Sequence, residues 1–245
     1  PGKFIKENQI TVWTSVPSVI MFMERFGMLK PDSFADLRYS FFCGEALTEA
    51  AAAQWQVAAP NCRIENLYGP TEGTVAMTRF HYQSTGSPAE AKGIVPIGRP
   101  FADARVVIID EHGQPVKEGH IGELCISGPQ LAQGYFKDTN KTNAFFVSLE
   151  GDGSARWYKT GDLIRQDTSG ELHFVGRANE QVKILGHRIE LNEIDAVLMK
   201  YKGIDRAVSF AWPAQQEATP REIISVVASK NDFDESCLLS FAKDY

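Results

Sequence analysis

Asn66-Leu67-Tyr68-Gly69-Pro70-Thr71-Glu72-Gly73 carries the densest chemistry in this 245-residue chain. An amide, an aromatic face, a hydroxyl and a carboxylate follow one another around a Gly-Pro turn that must bring backbone close to something. Such a set could stack a nucleobase, bond its exocyclic amine, touch a phosphate and hold Mg²⁺. Taken alone, Gly-Pro-Thr-Glu is equally an ordinary solvated turn with a threonine cap, so context has to decide. Three further stretches follow it in a fixed order. Gly122-Glu123-Leu124-Cys125-Ile126-Ser127-Gly128 stands ahead of Gln133-Gly134-Tyr135. Tyr158-Lys159-Thr160-Gly161-Asp162-Leu163 comes next, with Asp162 in what reads as a tight Thr-Gly-Asp turn. The last runs from Gly176-Arg177-Ala178-Asn179 through Gly186-His187-Arg188 to Leu191.

The elements that must position these stretches fall into three parts. Residues 1–96 alternate helix and strand. Val16, Val19, Ile20, Met23 and Phe26 recur at helical spacing, and Tyr39–Cys43 is a short apolar run ending at Gly44. Thr48 caps an alanine-rich helix, and Arg63–Asn66 makes the next strand. Such alternation predicts a parallel sheet with ligands at the carboxyl ends of its strands. Residues 97–175 change to short strands between turns, the pattern of a small antiparallel sheet or barrel. Residues 176–179 mark the boundary before the next part, a boundary that the resemblance described below implies to be a hinge. After them comes an α+β part, 180–245, where Ile194, Val197, Leu198 and Tyr201 form one apolar helical stripe.

With the four stretches in this order, the chain resembles the adenylate-forming superfamily, and more narrowly the amino-acid adenylation domains of nonribosomal peptide synthetases. Phe42-Cys43-Gly44-Glu45 also resembles the D-alanine–carrier protein ligases of cell-wall teichoic acid synthesis. The resemblance covers nearly the whole chain. It implies an α/β fold class: the C-terminal part of a large adenylation domain, a small antiparallel β-barrel-like subdomain, and the start of a small α+β domain. It implies ATP and Mg²⁺ as cofactors, an amino acid as substrate and a carrier protein's phosphopantetheine thiol as acceptor. Tyr68 would lie on the adenine, with Asn66, Gly69 and the Gly44-Glu45-Ala46 backbone around it. Asp162 would take the ribose hydroxyls, Thr71 the α-phosphate and Glu72 the metal, with Arg177 facing the nucleotide. Thr14, Phe41, Cys43, Leu67, Val75 and Ala76 match wall positions of the family's amino-acid pocket, and their character implies a small or apolar side chain. Leu191, where acyl-CoA ligases usually carry proline, and Pro70 favour amino-acid activation. An acyl-CoA ligase or a non-catalytic binding module is the alternative.

Some residues depart from the family. Asn179 stands where the family has a hinge Asp or Lys. The family's phosphate loop would lie before residue 1 and its catalytic Lys after Tyr245, so the chain reads as an internal, inactive portion of a longer protein. Ser84-Thr85-Gly86-Ser87-Pro88 with Lys92-Gly93 imitates the phosphate loop but follows the Gly-Pro-Thr-Glu turn, the wrong order, and reads as a surface loop.

Composition narrows the choice further. A net charge of −6 argues against nucleic acid as a partner. No apolar run reaches the roughly 18 residues of a membrane span. The four cysteines and five histidines show no ligand spacing, as expected for reduced thiols in a cytoplasmic protein.

Overall fold

The computed structural model describes residues 1–83, 93–149, 152–153, 155–178, 181–212, 222–229 and 233–243. Asn179 and the 84–92 segment that imitates a phosphate loop lie outside them. The chain divides into two compact units, Pro1–Ala178 and Asn179–Tyr245.

The first unit opens with α1 (Gly2–Glu7), β1 (Val12–Ser15), α2 (Ser18–Arg25), β2 (Tyr39–Phe42), α3 (Glu49–Ala58) and β3 (Arg63–Tyr68). A single 3-10 turn at Thr71–Gly73 leads to β4 (Thr78–Tyr82) and β5 (Arg99–Pro100). These strands form one sheet in chain order. β1, β2 and β3 are parallel, but β4 and β5 run antiparallel. The strands expected to be parallel, β2 and β3, are so, and the antiparallel direction of β4 and β5 adds to that expectation. A parallel return takes a crossover of about a dozen residues or more, and the short 69–77 link contains no helix long enough to provide one. Helix α3 starts as the sequence predicts, with Thr48 Oγ1 accepting from the Ala51 amide at 3.2 Å. Its alanines 51–53 are buried, and Trp55 is fully enclosed, edge-on to Phe42 at 5.3 Å, with its indole N–H on Ser40 Oγ.

A second sheet follows, from β6 (Arg105–Ile109), β7 (Ile121–Ser127), α4 (Thr139–Phe145), β8 (Phe146–Val147), β9 (Trp157–Gln166) and β10 (Leu172–Arg177). Its order is β10-β9-β7-β6 with β8 on β9, and it is antiparallel throughout. It curls into a half-barrel around Leu124, Ile126, Tyr158 and Ile164. Thr160-Gly161-Asp162 is not a turn, as its composition suggests, but the middle of the ten-residue strand β9. The glycine that imitates a turn signal sits at φ +70°, where β7 and β9 shift register. A bridge between Gly98 and Leu172 joins the two sheets.

The second unit contains the β11 (Gln181–Ile184) and β12 (His187–Glu190) hairpin, α5 (Leu191–Leu198), the β13 (Ile204–Trp212) and β14 (Glu222–Ser229) pair, and α6 (Glu235–Lys243). Leu185 and Gly186, both at positive φ, make the two-residue hairpin turn, and His187 already belongs to β12. Leu198, Ile204, Ala207 and Leu238 form this unit's core. No helix among the described residues is long and apolar enough to cross a membrane, and none of the four cysteines forms a disulfide among the described residues.

Candidate active site

Asp162 is the centre of the site. It is 2% exposed, on the stretch of β9 that the bulge at Gly161 reshapes. The Gly161 amide donates to Glu123 Oε1 at 3.0 Å, and the Asp162 amide to Thr160 Oγ1 at 3.0 Å. Thr160 in turn donates to the Leu124 carbonyl, so β7 fixes the backbone that carries the acid. Register places Arg177 directly opposite on β10, where Nη1 meets Asp162 Oδ1 at 2.5 Å. From the other sheet, the Tyr68 hydroxyl donates to Asp162 Oδ2 at 2.5 Å. Burial, together with the neighbouring Asp162 charge, pushes the Tyr68 phenol well above its ordinary range and keeps it a donor. Three of the four motifs thus meet at one carboxylate.

The Gly69–Met77 loop is built by close approach. A Cβ on Gly69 would lie 2.7 Å from the Val75 carbonyl oxygen and 2.9 Å from both Ala76 Cα and the Met77 nitrogen. All three are backbone atoms that cannot swing aside. Gly69→Ala is therefore expected to destabilise the unit by about 1–3 kcal/mol in denaturant unfolding; an unchanged midpoint would contradict this packing. Thr74 and Val75 follow at φ 53° and 73°, a region β-branched residues rarely enter. Hydrogen bonds to the 130–132 segment hold them there. Thr74 Oγ1 donates to the Gln130 carbonyl at 2.6 Å, while Gln130 Nε2 reaches the Gly73 and Ala76 carbonyls at 3.0 and 2.5 Å. The Ala132 amide bonds the Glu72 carbonyl at 2.8 Å. The Glu72 carboxylate accepts from the Tyr135 hydroxyl at 2.6 Å. Thr71, on the same turn, is exposed.

The other predicted residues have distinct surroundings. Asn66 is 2% exposed and donates its amide hydrogens to the carbonyls of Val95 and Pro96. Glu45 accepts from the Ser18 amide at 2.8 Å, capping α2. Gly44 turns the chain at φ +96° beside it. Thr14 and Phe41 stand in register across β1 and β2, on the sheet face that also carries Leu67. The Cys43 thiol donates to the Val75 carbonyl at 3.6 Å, tying the end of β2 to the 74–76 loop, where Val75 is exposed and Ala76 half-buried.

A cleft of about 350 Å³ opens on that face, lined by Phe41, Leu67, Tyr39, Arg63, Glu65, Arg79 and Phe101. Sequence reasoning missed its floor. Glu65 is 3% exposed, meets Arg63 Nε at 2.5 Å through Oε1, and has a buried Oε2 without a partner among the described residues. The alternation of β3, which places 65 beside 67, was the available signal. Tyr135 was also missed as a site residue, although its Gly-Tyr pair was noticed.

Comparison with known proteins now identifies the group. Residues 2–136 match the family described as AMP-binding enzyme. The chain belongs to that family. The D-alanine–D-alanyl carrier protein ligase of Lactiplantibacillus plantarum is 34% identical over 95% of this chain and 45% of its own length. Tyrocidine synthase 3 of Brevibacillus parabrevis is 37% identical over 85% of this chain, though over only 3% of itself. Among solved structures, the Vibrio cholerae adenylation domain AlmE, in complex with glycyl-adenosine-5'-phosphate, superposes with a TM-score of 0.88 at 36% identity, over 99% of this chain and 45% of that one. The chain thus spans less than half the length of each of these relatives. Its α/β architecture is that of an adenylation domain.

Proposed function

We propose that this chain is part of an enzyme that joins the carboxylate of a small amino acid to AMP and then hands the acyl group to the phosphopantetheine thiol of a carrier protein. The observation that carries this reading is the convergence of Tyr68 and Arg177 on the buried Asp162 carboxylate. Each carboxylate oxygen keeps acceptor capacity beyond one hydrogen bond, so Asp162 can accept the two ribose hydroxyls while its neighbours hold it still. The Tyr68 ring, anchored by its own hydroxyl, is the face for adenine, with Asn66, Gly69 and the Gly44-Glu45-Ala46 backbone at its edges. Arg177 lies close enough to place positive charge beside the nucleotide. Thr71 takes the α-phosphate.

Glu72 suits Mg²⁺. A single hard carboxylate on a short turn matches an ion that binds through one or two carboxylates and the substrate's phosphates. Among the described residues no cluster of three or more His, Cys, Asp or Glu offers a full protein cage. Bound there, the ion would neutralise charge on the phosphates. In the first step a carboxylate oxygen of the amino acid attacks the α-phosphorus and pyrophosphate leaves. In the second the thiol displaces AMP from the acyl carbonyl. The protein's part in both is positioning and charge neutralisation.

Thr14, Phe41, Cys43, Leu67, Val75 and Ala76 are the proposed substrate wall, whose small and apolar residues suit a small or apolar side chain. The glycyl and D-alanyl chemistry named for two relatives supports that size. Asn179 is the proposed pivot between the two steps. The test is ATP–pyrophosphate exchange with glycine, D-alanine, L-alanine and larger amino acids. It is run on the protein from the complete reading frame and on these 245 residues in parallel. Exchange with a small amino acid by the former, and none by the latter, is the expected result. The resemblance puts the phosphate loop and catalytic lysine outside these residues, and losing such a cation costs on the order of 10³-fold in rate. Exchange by the 245 residues alone would sink the inactivity claim; a silent, folded, ATP-binding full-length protein would sink the activity.

A further inference from the structure

Tyr135 is held more firmly than its place in a loop requires. Its backbone amide donates to Thr142 Oγ1 at 2.9 Å, and that hydroxyl donates to the carbonyl of Asp138, the N-cap of α4. Gly134 lets the chain come this close: a Cβ there would sit 2.6 Å from the Thr142 methyl group. The Tyr135 ring stands edge-on to Phe145 and Phe146, with centroids 6.2 and 5.8 Å away. Lys141 Nζ lies 4.9 Å from the ring centroid, and the side chain's hydrogen bonds come from its hydroxyl. It donates to Glu72 Oε1 at 2.6 Å and lies 3.3 Å from the hydroxyl of Tyr158, whose side chain is fully buried. A glutamate left unheld on a short turn samples several rotamers, and fixing one costs up to about 1.5–2 kcal/mol of side-chain entropy. Here the Tyr135 hydroxyl holds it in one orientation.

We propose that Tyr135 is the positioning residue of Glu72, its phenol holding the carboxylate in the orientation from which it binds a nucleotide-bound divalent cation. The inference rests on the reading of Glu72 as the metal ligand. Tyr135 acts through the carboxylate, as partners behind metal ligands commonly do.

The test uses Mn²⁺ as a paramagnetic probe of the full-length protein with saturating ATP, its affinity read by electron paramagnetic resonance. Tyr135→Phe removes one oxygen and keeps the ring packing. It is expected to weaken Mn²⁺ binding about 10-fold while leaving metal-free ATP affinity within about twofold. Glu72→Gln should weaken Mn²⁺ at least as much, and the double variant no further than Glu72→Gln alone. p-Aminophenylalanine at position 135 restores a donor in the same ring and should bind Mn²⁺ within about threefold of the natural protein; this arm also serves if Tyr135→Phe fails to fold. Wild-type Mn²⁺ affinity in Tyr135→Phe, or additive losses in the double variant, would overturn the positioning role. Wild-type affinity in Glu72→Gln would instead overturn the reading of Glu72 itself.

Discussion

Asp162→Asn is expected to lower ATP affinity at least about 10²-fold and to destabilise the first unit by about 3–5 kcal/mol. The first figure follows from two ribose hydrogen bonds to a charged acceptor, at about 1.5–3 kcal/mol each. The second has a separate origin. The Arg177 and Asp162 side chains are 11% and 3% exposed, and removing one partner of such a pair leaves the other charge where water screens it poorly. Asparagine keeps the volume but turns an amide toward two donors, the Tyr68 hydroxyl and the Arg177 guanidinium. Isothermal titration with ATP on the full-length protein and denaturant unfolding of these residues measure the two effects apart. Affinity within threefold of wild type would remove the ribose from this carboxylate. Stability within about 1 kcal/mol would mean that the pair is open to solvent.

Alkaline pH gives the second large effect. Burial pushes the Cys125 thiol from an ordinary 9.0 up to about 12, and the Cys62 thiol upward as well. Tyr68 and Tyr135 stand well above the ordinary phenol value of 10.0, through burial first and then their bonds to Asp162 and Glu72. In each case the folded chain holds a proton that the unfolded chain releases. Stability is therefore complete below about pH 9 and falls as pH climbs from there, at up to about 1.4 kcal/mol per unit for each group. Cys125 alone accounts for on the order of 4 kcal/mol by pH 12. Unfolding midpoints across pH 8–11 should show a slope that begins near 9 with the thiols and steepens past about 10 with the phenols. Cys125→Ala should flatten the early part. A flat profile through pH 11 would mean that these groups are not enclosed as described.

How much of this was legible depended on the reach of the signal. Thr48 and the alanines after it announced α3, because cap and propensity act within one turn. The Asn66–Gly73 and Gly176–Leu191 stretches pointed to a candidate site because their order along the chain is itself information. Local spacing misled at Thr160-Gly161-Asp162, where a glycine at positive φ marks a bulge rather than a turn. It was silent on Val12–Ser15, too short and too polar to look like a strand, and on the direction of β4. Tyr135 and Glu72 stand 63 positions apart, and no periodicity links them. Glu65 was within reach by strand alternation, but a lone carboxylate in an apolar strand reads as solvent-facing until its neighbours are known.

The separation between Tyr68 and Asp162 has a consequence for the order of folding. These two residues are 94 positions apart, so their bond closes one of the longest loops in the first unit, whereas Arg177 and Asp162 are only 15 apart on adjacent strands. Long closures carry the larger entropic penalty and form late. A half-folded chain can own the arginine–aspartate pair and still lack the tyrosine, and so present the proposed ribose acceptor without the proposed adenine platform. Closure of the Tyr68–Asp162 bond would then mark the last docking event. A mononucleotide added during refolding should trap the product of that event without hastening the steps before it.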